Sequence, residues 1–101
     1  MLIYVSHPYQ MKEENKLSAE NIVRKLHFKN PEHTYLSGIH PFYFMYDEVD
    51  YETGINMCLE VLKRCDTMYV FGDWENSRGC KEEIKFCEEN GIPYKIINDH
   101  V

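Results

Sequence analysis

Residues 67–97 read TMYVFGDWENSRGCKEEIKFCEENGIPYKII. Thr67 to Phe71 is a short apolar run that stops at Gly72-Asp73, the pattern of a buried strand. From Ser77 to Asn90 the apolar residues return at helical spacing, and Gly91 and then Pro93 close the helix. Tyr94 to Ile97 is a further strand. A strand, a helix and another strand in such close succession build a parallel sheet with helices covering it.

Moving toward the N-terminus, Ile55, Cys58, Leu59 and Leu62 mark an amphipathic helix over Thr53 to Arg64. The stretch Ile39 to Tyr51 holds Phe42, Tyr43, Phe44, Met45, Tyr46, Val49 and Tyr51 among acidic residues and fits neither period. It reads as a loop that packs either on this chain or on another. Thr34 to Leu36 is a weak strand ended by Ser37-Gly38. Leu17, Ala19, Ile22 and Leu26 place a helix over Asn15 to Phe28, stopped by Asn30-Pro31. Leu2 to Ser6 is a first strand with Pro8 as breaker. The order β-α-β-loop-α-β-α-β predicts one α/β domain over residues 1–101, flavodoxin-like or Rossmann-like, with three layers. Its parallel four-stranded sheet is expected in the order 2-1-3-4, under the rule of right-handed crossovers.

A net charge of −6 makes the chain a poor partner for a nucleic-acid polymer, because such binding depends on lysines and arginines that release counterions. A single anion held by backbone N–H groups remains compatible with it. No apolar run approaches the roughly 20 residues of a membrane span. Met1-Leu2-Ile3-Tyr4-Val5 lacks the basic start and cleavage site of a signal peptide and reads as a strand, so a cytoplasmic location is expected. Cys58 and Cys65 are two helical turns apart, as are Cys80 and Cys87. They lack zinc-knuckle spacing and read as reduced core thiols, with no metal or other cofactor implied.

In an open α/β sheet, ligands bind beyond the C-terminal strand edge where the strand order reverses. For the order 2-1-3-4 this brings Ser6, His7, Pro8 and Tyr9 opposite Gly72, Asp73, Trp74 and Ser77, with His40 nearby. Ser77 is a good N-cap, and Gly79 in the first turn lets another group approach the backbone. Together they suit a phosphate or carboxylate, or simply cap a helix. At about 100° per residue, Cys80, Ile84 and Cys87 share an arc of roughly 60°. Glu83 falls between that arc and Phe86, on the partly buried side, whereas Glu82 points to solvent. A carboxylate on the apolar side needs a reason: the preference of acids for helix starts, or work as a nucleophile or general base whose basicity a dry site raises. Cys58 and Arg64 match the spacing of a phosphate-cradling cysteine loop but sit within a helix. His27, His33 and His100 have no supporting context, and neither G-x-G-x-x-G nor a Walker A loop occurs.

These residues resemble the nucleoside 2-deoxyribosyltransferase superfamily, most closely its short bacterial and phage branch of unknown function, over nearly the whole chain. The matching features are Pro8-Tyr9, Asn15 with Ala19, His40-Pro41-Phe42-Tyr43, Cys65-Asp66, Gly72 with Trp74, Ser77-x-Gly79-x3-Glu83, and Gly91-Ile92-Pro93. The resemblance implies that Glu83 is a nucleophile attacking the anomeric carbon of a deoxynucleoside, with the covalent logic of a retaining glycosidase. It also implies that Ser77 contacts a 5′-phosphate. Characterised transferases are longer and carry a further aspartate that handles the leaving base, for which Asp73, Asp47 and Asp50 are the candidates. His7 stands where the superfamily usually has glycine.

The chain is therefore expected to be an N-glycosidase or deoxyribosyltransferase acting on a nucleoside or nucleoside 5′-monophosphate. Glu83 would be the nucleophile and Asp73 the acid. Ser77 and Gly79 would hold a phosphate or ribose oxygen, and Tyr9 and Trp74 would stack on the base. The resemblance also implies a homo-oligomer. The alternatives are a module that binds a nucleotide without breaking it, and a redox or metal role for the cysteines.

Overall fold

The computed structural model describes residues 1–98, so His100 lies outside the described residues. Four strands form one parallel sheet: β1 (Leu2–Ser6), β2 (Thr34–Ser37), β3 (Thr67–Val70) and β4 (Tyr94–Ile96). Their order is β2-β1-β3-β4, as the alternation of elements predicts. Register pairs Leu2 with Thr34, Ile3 with Thr67, and Met68 with Tyr94. Helices α1 (Glu13–Lys29), α2 (Tyr51–Leu62) and α3 (Arg78–Asn90) make the crossovers that parallel neighbours require.

The sheet separates two apolar clusters. On one face Val5 and Phe71 pack with Leu26, Ile22 and Val23 of α1. On the other, Tyr4, Met68 and Val70 pack with Leu59 and Leu62 of α2 and Ile84 and Cys87 of α3. The period of two along β1 sends Val5 to the α1 face and Tyr4 to the α2–α3 face. All four cysteines are buried free thiols; Cys80 and Cys87 share a buried face of α3 as their spacing predicts, whereas Cys65 lies past the end of α2 and not on its face.

Helix starts follow local chemistry. The Asp50 side chain accepts the Thr53 N–H at 2.7 Å and starts α2 two residues before Thr53. The Ser77 hydroxyl accepts the Cys80 N–H at 3.2 Å, so Ser77 is the cap of α3. Gly91 ends α3 at φ 67°, in the left-handed region that favours glycine. Two short 3₁₀ turns, Tyr43–Met45 and Trp74–Asn76, stand where the sequence has no clear period. Within the aromatic stretch the residues divide. The Tyr46 ring packs inside the chain, 5.9 Å from the Tyr9 ring, whereas Phe44 is 61% exposed.

Gly38, just past β2, is tied to the core. A Cβ there would lie 2.1 Å from the Tyr4 hydroxyl. Gly38→Ala should therefore lose about 1–3 kcal/mol through overpacking. Gly79→Ala, whose Cβ would meet nothing nearer than 3.8 Å, should stay within about 0.5 kcal/mol of the parent. Urea unfolding of the two variants checks this, and equal stability would refute the tie.

Candidate active site

Tyr4 and Ser6 are two residues apart on β1 and so share the face turned to α3. Both hydroxyls donate to the carboxyl of Glu83. Ser6 Oγ lies 2.7 Å from Oε1, and Tyr4 Oη bonds Oε2. The wheel placed Glu83 on the partly buried side of its helix. In the fold it is 6% exposed, because its side chain reaches under the helix to the strand.

Burial pushes the Glu83 carboxyl up to about 7, from an ordinary 4.5. The two donated hydrogen bonds pull it down and the Glu82 charge adds a little upward, but desolvation wins. Burial first, and then Glu83, raises the Tyr4 phenol well above its usual range, so it keeps its proton and acts as a donor. Near neutral pH the carboxyl is thus shared between its two forms, a condition suited to acid–base or nucleophilic work.

A cavity of about 340 Å³ opens over this carboxyl, a size common for small-molecule sites. The loop after β1 gives it His7, Tyr9, Gln10 and Met11, and the exit of β2 gives Gly38 and Ile39. Tyr46 and the α2 residues Asp50, Tyr51, Gly54, Ile55 and Cys58 form a second wall, and Ser77 to Cys80 form the third. Gln10 and Met11 both have positive φ, 51° and 59°, in a turn closed by Lys12 N–H to Tyr9 O at 2.9 Å. Side chains other than glycine resist that conformation by roughly 1–2 kcal/mol each, so the turn beside the cavity is held under strain.

Charge around the cavity is mixed. The Arg78 guanidinium lies over the Tyr51 ring, 3.9 Å from its centroid, and its Nε reaches Glu82 at 3.2 Å. Burial pushes the Tyr51 phenol up to about 12. His7 Nδ1 lies 2.7 Å from Pro8 O, and since a carbonyl only accepts, this nitrogen carries the hydrogen. His7 Nε2 then accepts from the Ser18 hydroxyl at 3.2 Å. Burial lowers the imidazole below its ordinary value, which keeps it neutral. Among the described residues no group of three His, Cys, Asp or Glu side chains is placed to hold a metal, and no helix is long and apolar enough to cross a membrane.

The fold brings Glu83, Ser77, Gly79, His7 and Tyr9 to one cavity. Ser6 stands behind Glu83 as its hydrogen-bond donor. Pro8 and Gly72 support the loop from outside the cavity: a Cβ on Gly72 would meet Pro8 Cδ at 3.1 Å and His7 Nε2 at 3.2 Å. Trp74 is turned away and packs against the cluster around Tyr4 and Leu62. Asp73 is exposed, and both its carboxylate oxygens accept from the Asn76 amide, at 3.1 and 2.9 Å. Of the second wall the sequence offers Asp50 as a candidate; Tyr46, Tyr51, Gly54 and Ile55, like Tyr4, carry no local signal that places them at the site.

The raised Glu83 value has a stability consequence. Between about pH 4.5 and 7 the folded chain holds a proton that the unfolded chain releases, so stability falls as pH rises through that window. Above it the full penalty, about 3 kcal/mol, is present. Glu83→Gln should match the parent near pH 4 and exceed it by about 3 kcal/mol at pH 8. Urea midpoints against pH measure this, and a difference independent of pH would contradict it.

Similarity to known proteins bears on the fold. Among solved structures the chain is similar to a 2-desoxiribosyltransferase from Leishmania mexicana. Identity is 18% and the TM-score 0.67, with 95% of this chain and 63% of that chain covered. The likeness is one of fold, and this chain spans less than two thirds of that protein's length. No curated protein matches it. The expected deoxyribosyltransferase-like fold is thus the one observed. The model of a domain of unknown function, DUF7768, matches residues 1–97, and the chain belongs to that family.

Proposed function

We propose that the protein is an N-glycosidase or deoxyribosyltransferase acting on a nucleoside or nucleoside 5′-monophosphate, with Glu83 as nucleophile. One observation carries the reading: a buried carboxyl, held by Tyr4 and Ser6, at the base of a ligand-sized cavity. The ionised carboxylate attacks the anomeric carbon, the bond to the base breaks, and water or a second base resolves the glycosyl ester. Both hydroxyls aimed at Glu83 fix its oxygens, so attack needs little reorganisation.

The start of α3 takes the phosphate or a ribose oxygen. Ser77 Oγ accepts the Cys80 N–H, and its own hydrogen stays free to donate toward a ligand. Gly79 leaves the backbone open beside it. Tyr9 offers a face to the base. A likeness in fold to a 2-desoxiribosyltransferase supports this substrate class. The free thiols accord with a reducing cytoplasmic setting.

A second reading is a module that binds the same ligand without cleaving it. It is favoured by the position of Asp73, outside the cavity and occupied with Asn76.

Chromatography of a panel of nucleosides and their 5′-monophosphates separates the two readings. The first expects base release that Glu83→Ala lowers by about 10³-fold or more and Glu82→Ala spares. The rate should climb with pH around a midpoint of about 7, because attack needs the carboxylate. No release, together with a ligand-induced rise in melting temperature, would instead establish the binding module.

We also propose assembly into a dimer or larger oligomer, supported by the exposed Tyr43 and Phe44 beside Tyr46. Sedimentation equilibrium should give a multiple of 12.1 kDa. The mass of one chain at micromolar concentration would refute it.

A further inference from the structure

We propose that Tyr46 and Cys58 together deliver the proton to the departing base, Tyr46 by touching it and Cys58 by supplying the proton through Tyr46. The proposal rests on the glycosidase reading and names the acid that this reading lacks.

When the glycosidic bond breaks, its electron pair stays on the base, and a ring nitrogen must take a proton for the base to leave easily. Most other candidates around the cavity are engaged or placed elsewhere. Asp73 is outside it. Asp50 lines it, but the Thr53 N–H holds its carboxyl below the usual range, so it stays ionised and can only accept. Both ring nitrogens of His7 are occupied, by Pro8 O and Ser18 Oγ. The Tyr51 hydroxyl points to the start of α3, 3.8 Å from where a Cβ on Gly79 would lie, at the end proposed for the phosphate. Cys80 is one helical turn from Glu83, on the same wall as the nucleophile.

Two coupled donors stand on a different wall from the nucleophile. Tyr46 Oη and Cys58 Sγ are 2.9 Å apart, and both reach the Gly38 carbonyl, at 3.3 and 3.6 Å. Each has one hydrogen, and with the carbonyl they form a closed set of two donors. When the Cys58 thiol donates to Tyr46 Oη, the Tyr46 hydrogen is left for Gly38 O. A base nitrogen entering the cavity can take that hydrogen in place of the carbonyl. The pair is also held near the nucleophile, since Tyr4 bonds Glu83 and fills the space against Gly38. Burial raises the thiol above its ordinary value, so it carries its proton at neutral pH. Burial raises the Tyr46 phenol as well, which suits it to relay a proton rather than to lose one.

The steps balance. Glu83 Oε bonds the anomeric carbon as the bond to nitrogen breaks, and the base nitrogen takes the Tyr46 hydrogen while Tyr46 takes the Cys58 hydrogen. The products are a glycosyl ester, a neutral base and a thiolate. In hydrolysis, water then bonds the anomeric carbon, Glu83 leaves as carboxylate, and the water's proton returns through Tyr46 to Cys58.

The test uses two substrates that differ in their need for an acid. Guanine leaving 2′-deoxyguanosine needs a proton. The base of N7-methyl-2′-deoxyguanosine carries a positive charge and leaves neutral without one. Rates are corrected for uncatalysed loss of the methylated base. Tyr46→Phe and Cys58→Ala should lose about 10²–10⁴-fold on the first substrate and stay within about tenfold of the parent on the second. Glu83→Ala should lose both. Should Tyr46→Phe fail to fold, Cys58→Ser gives the same comparison, with a smaller loss confined to 2′-deoxyguanosine. Equal losses on the two substrates would mark the pair as structural and overturn the proposal, as would no loss on either. A parent that releases only the methylated base would remove the acid and leave the nucleophile standing. A parent that releases neither, and no base from the wider panel of nucleosides and 5′-monophosphates, would remove both.

Discussion

The rest of the structure is arranged around one buried carboxyl, that of Glu83, held between a helix and the sheet by hydroxyls from two residues of one strand. Burying an ionisable group is unfavourable unless it is hydrogen-bonded, and the period of the strand supplies both donors at once. Tyr4 does more than donate. Its ring is part of the apolar cluster under α2 and α3, and its hydroxyl occupies the space that a side chain at residue 38 would need. Gly38 is therefore a consequence of Tyr4, as Tyr4 is of Glu83. The same glycine leaves its carbonyl to Tyr46 and Cys58, so the second wall of the cavity is referenced to the carboxyl as well.

Under the proposed reading this arrangement trades stability for reactivity. A hydrophobic residue at position 83 would remove the desolvation penalty, and a solvated one would leave the carboxylate at its ordinary, weakly basic value. The fold keeps the costly option while satisfying it: among the described residues no buried polar side-chain atom lacks a hydrogen-bond partner. Such a combination of burial and complete satisfaction is what the proposed nucleophile would need.

The strands and helices were legible from their periods and above all from their stop signals: Gly72 after β3, Gly91 and Pro93 after α3, Asn30-Pro31 after α1, with Ser37-Gly38 ending β2, whose own period is weak. The burial of Glu83 was legible too, since a helix wheel needs only spacing. What was not legible depended on tertiary placement. Tyr4 reads as one more apolar residue in a strand, and nothing local says that its hydroxyl meets a helix 79 positions away. Trp74 lies between a strand and a cap and was placed with the ligand, but its large apolar area is satisfied against the core instead. Asp73 was offered as an acid on position alone, and its neighbour Asn76 takes both its oxygens. The stretch from Ile39 to Tyr51 has no period because its residues face different ways, Tyr46 inward and Phe44 outward.

Two helix starts face the same cavity, and the sequence gives them opposite electrical characters. The first turn of α2 is capped by Asp50, whose carboxylate already neutralises the N–H groups there. The first turn of α3 is capped by Ser77, which satisfies one N–H and adds no charge. An anionic group on a ligand is thus repelled at α2 and favoured at α3, where Arg78 stands beside the cap. The acidic balance of the whole chain sharpens this contrast, because the proposed site would hold its anion against a net charge of −6. Glu83 lies deeper along α3, more than one turn in from the cap, beyond reach of the strongest part of the helix field. Under the proposed reading the cavity is thus oriented from the cap inward, with the start of α3 taking an anion and the nucleophile below it, so a ligand that bridged the two would have one direction in which to enter.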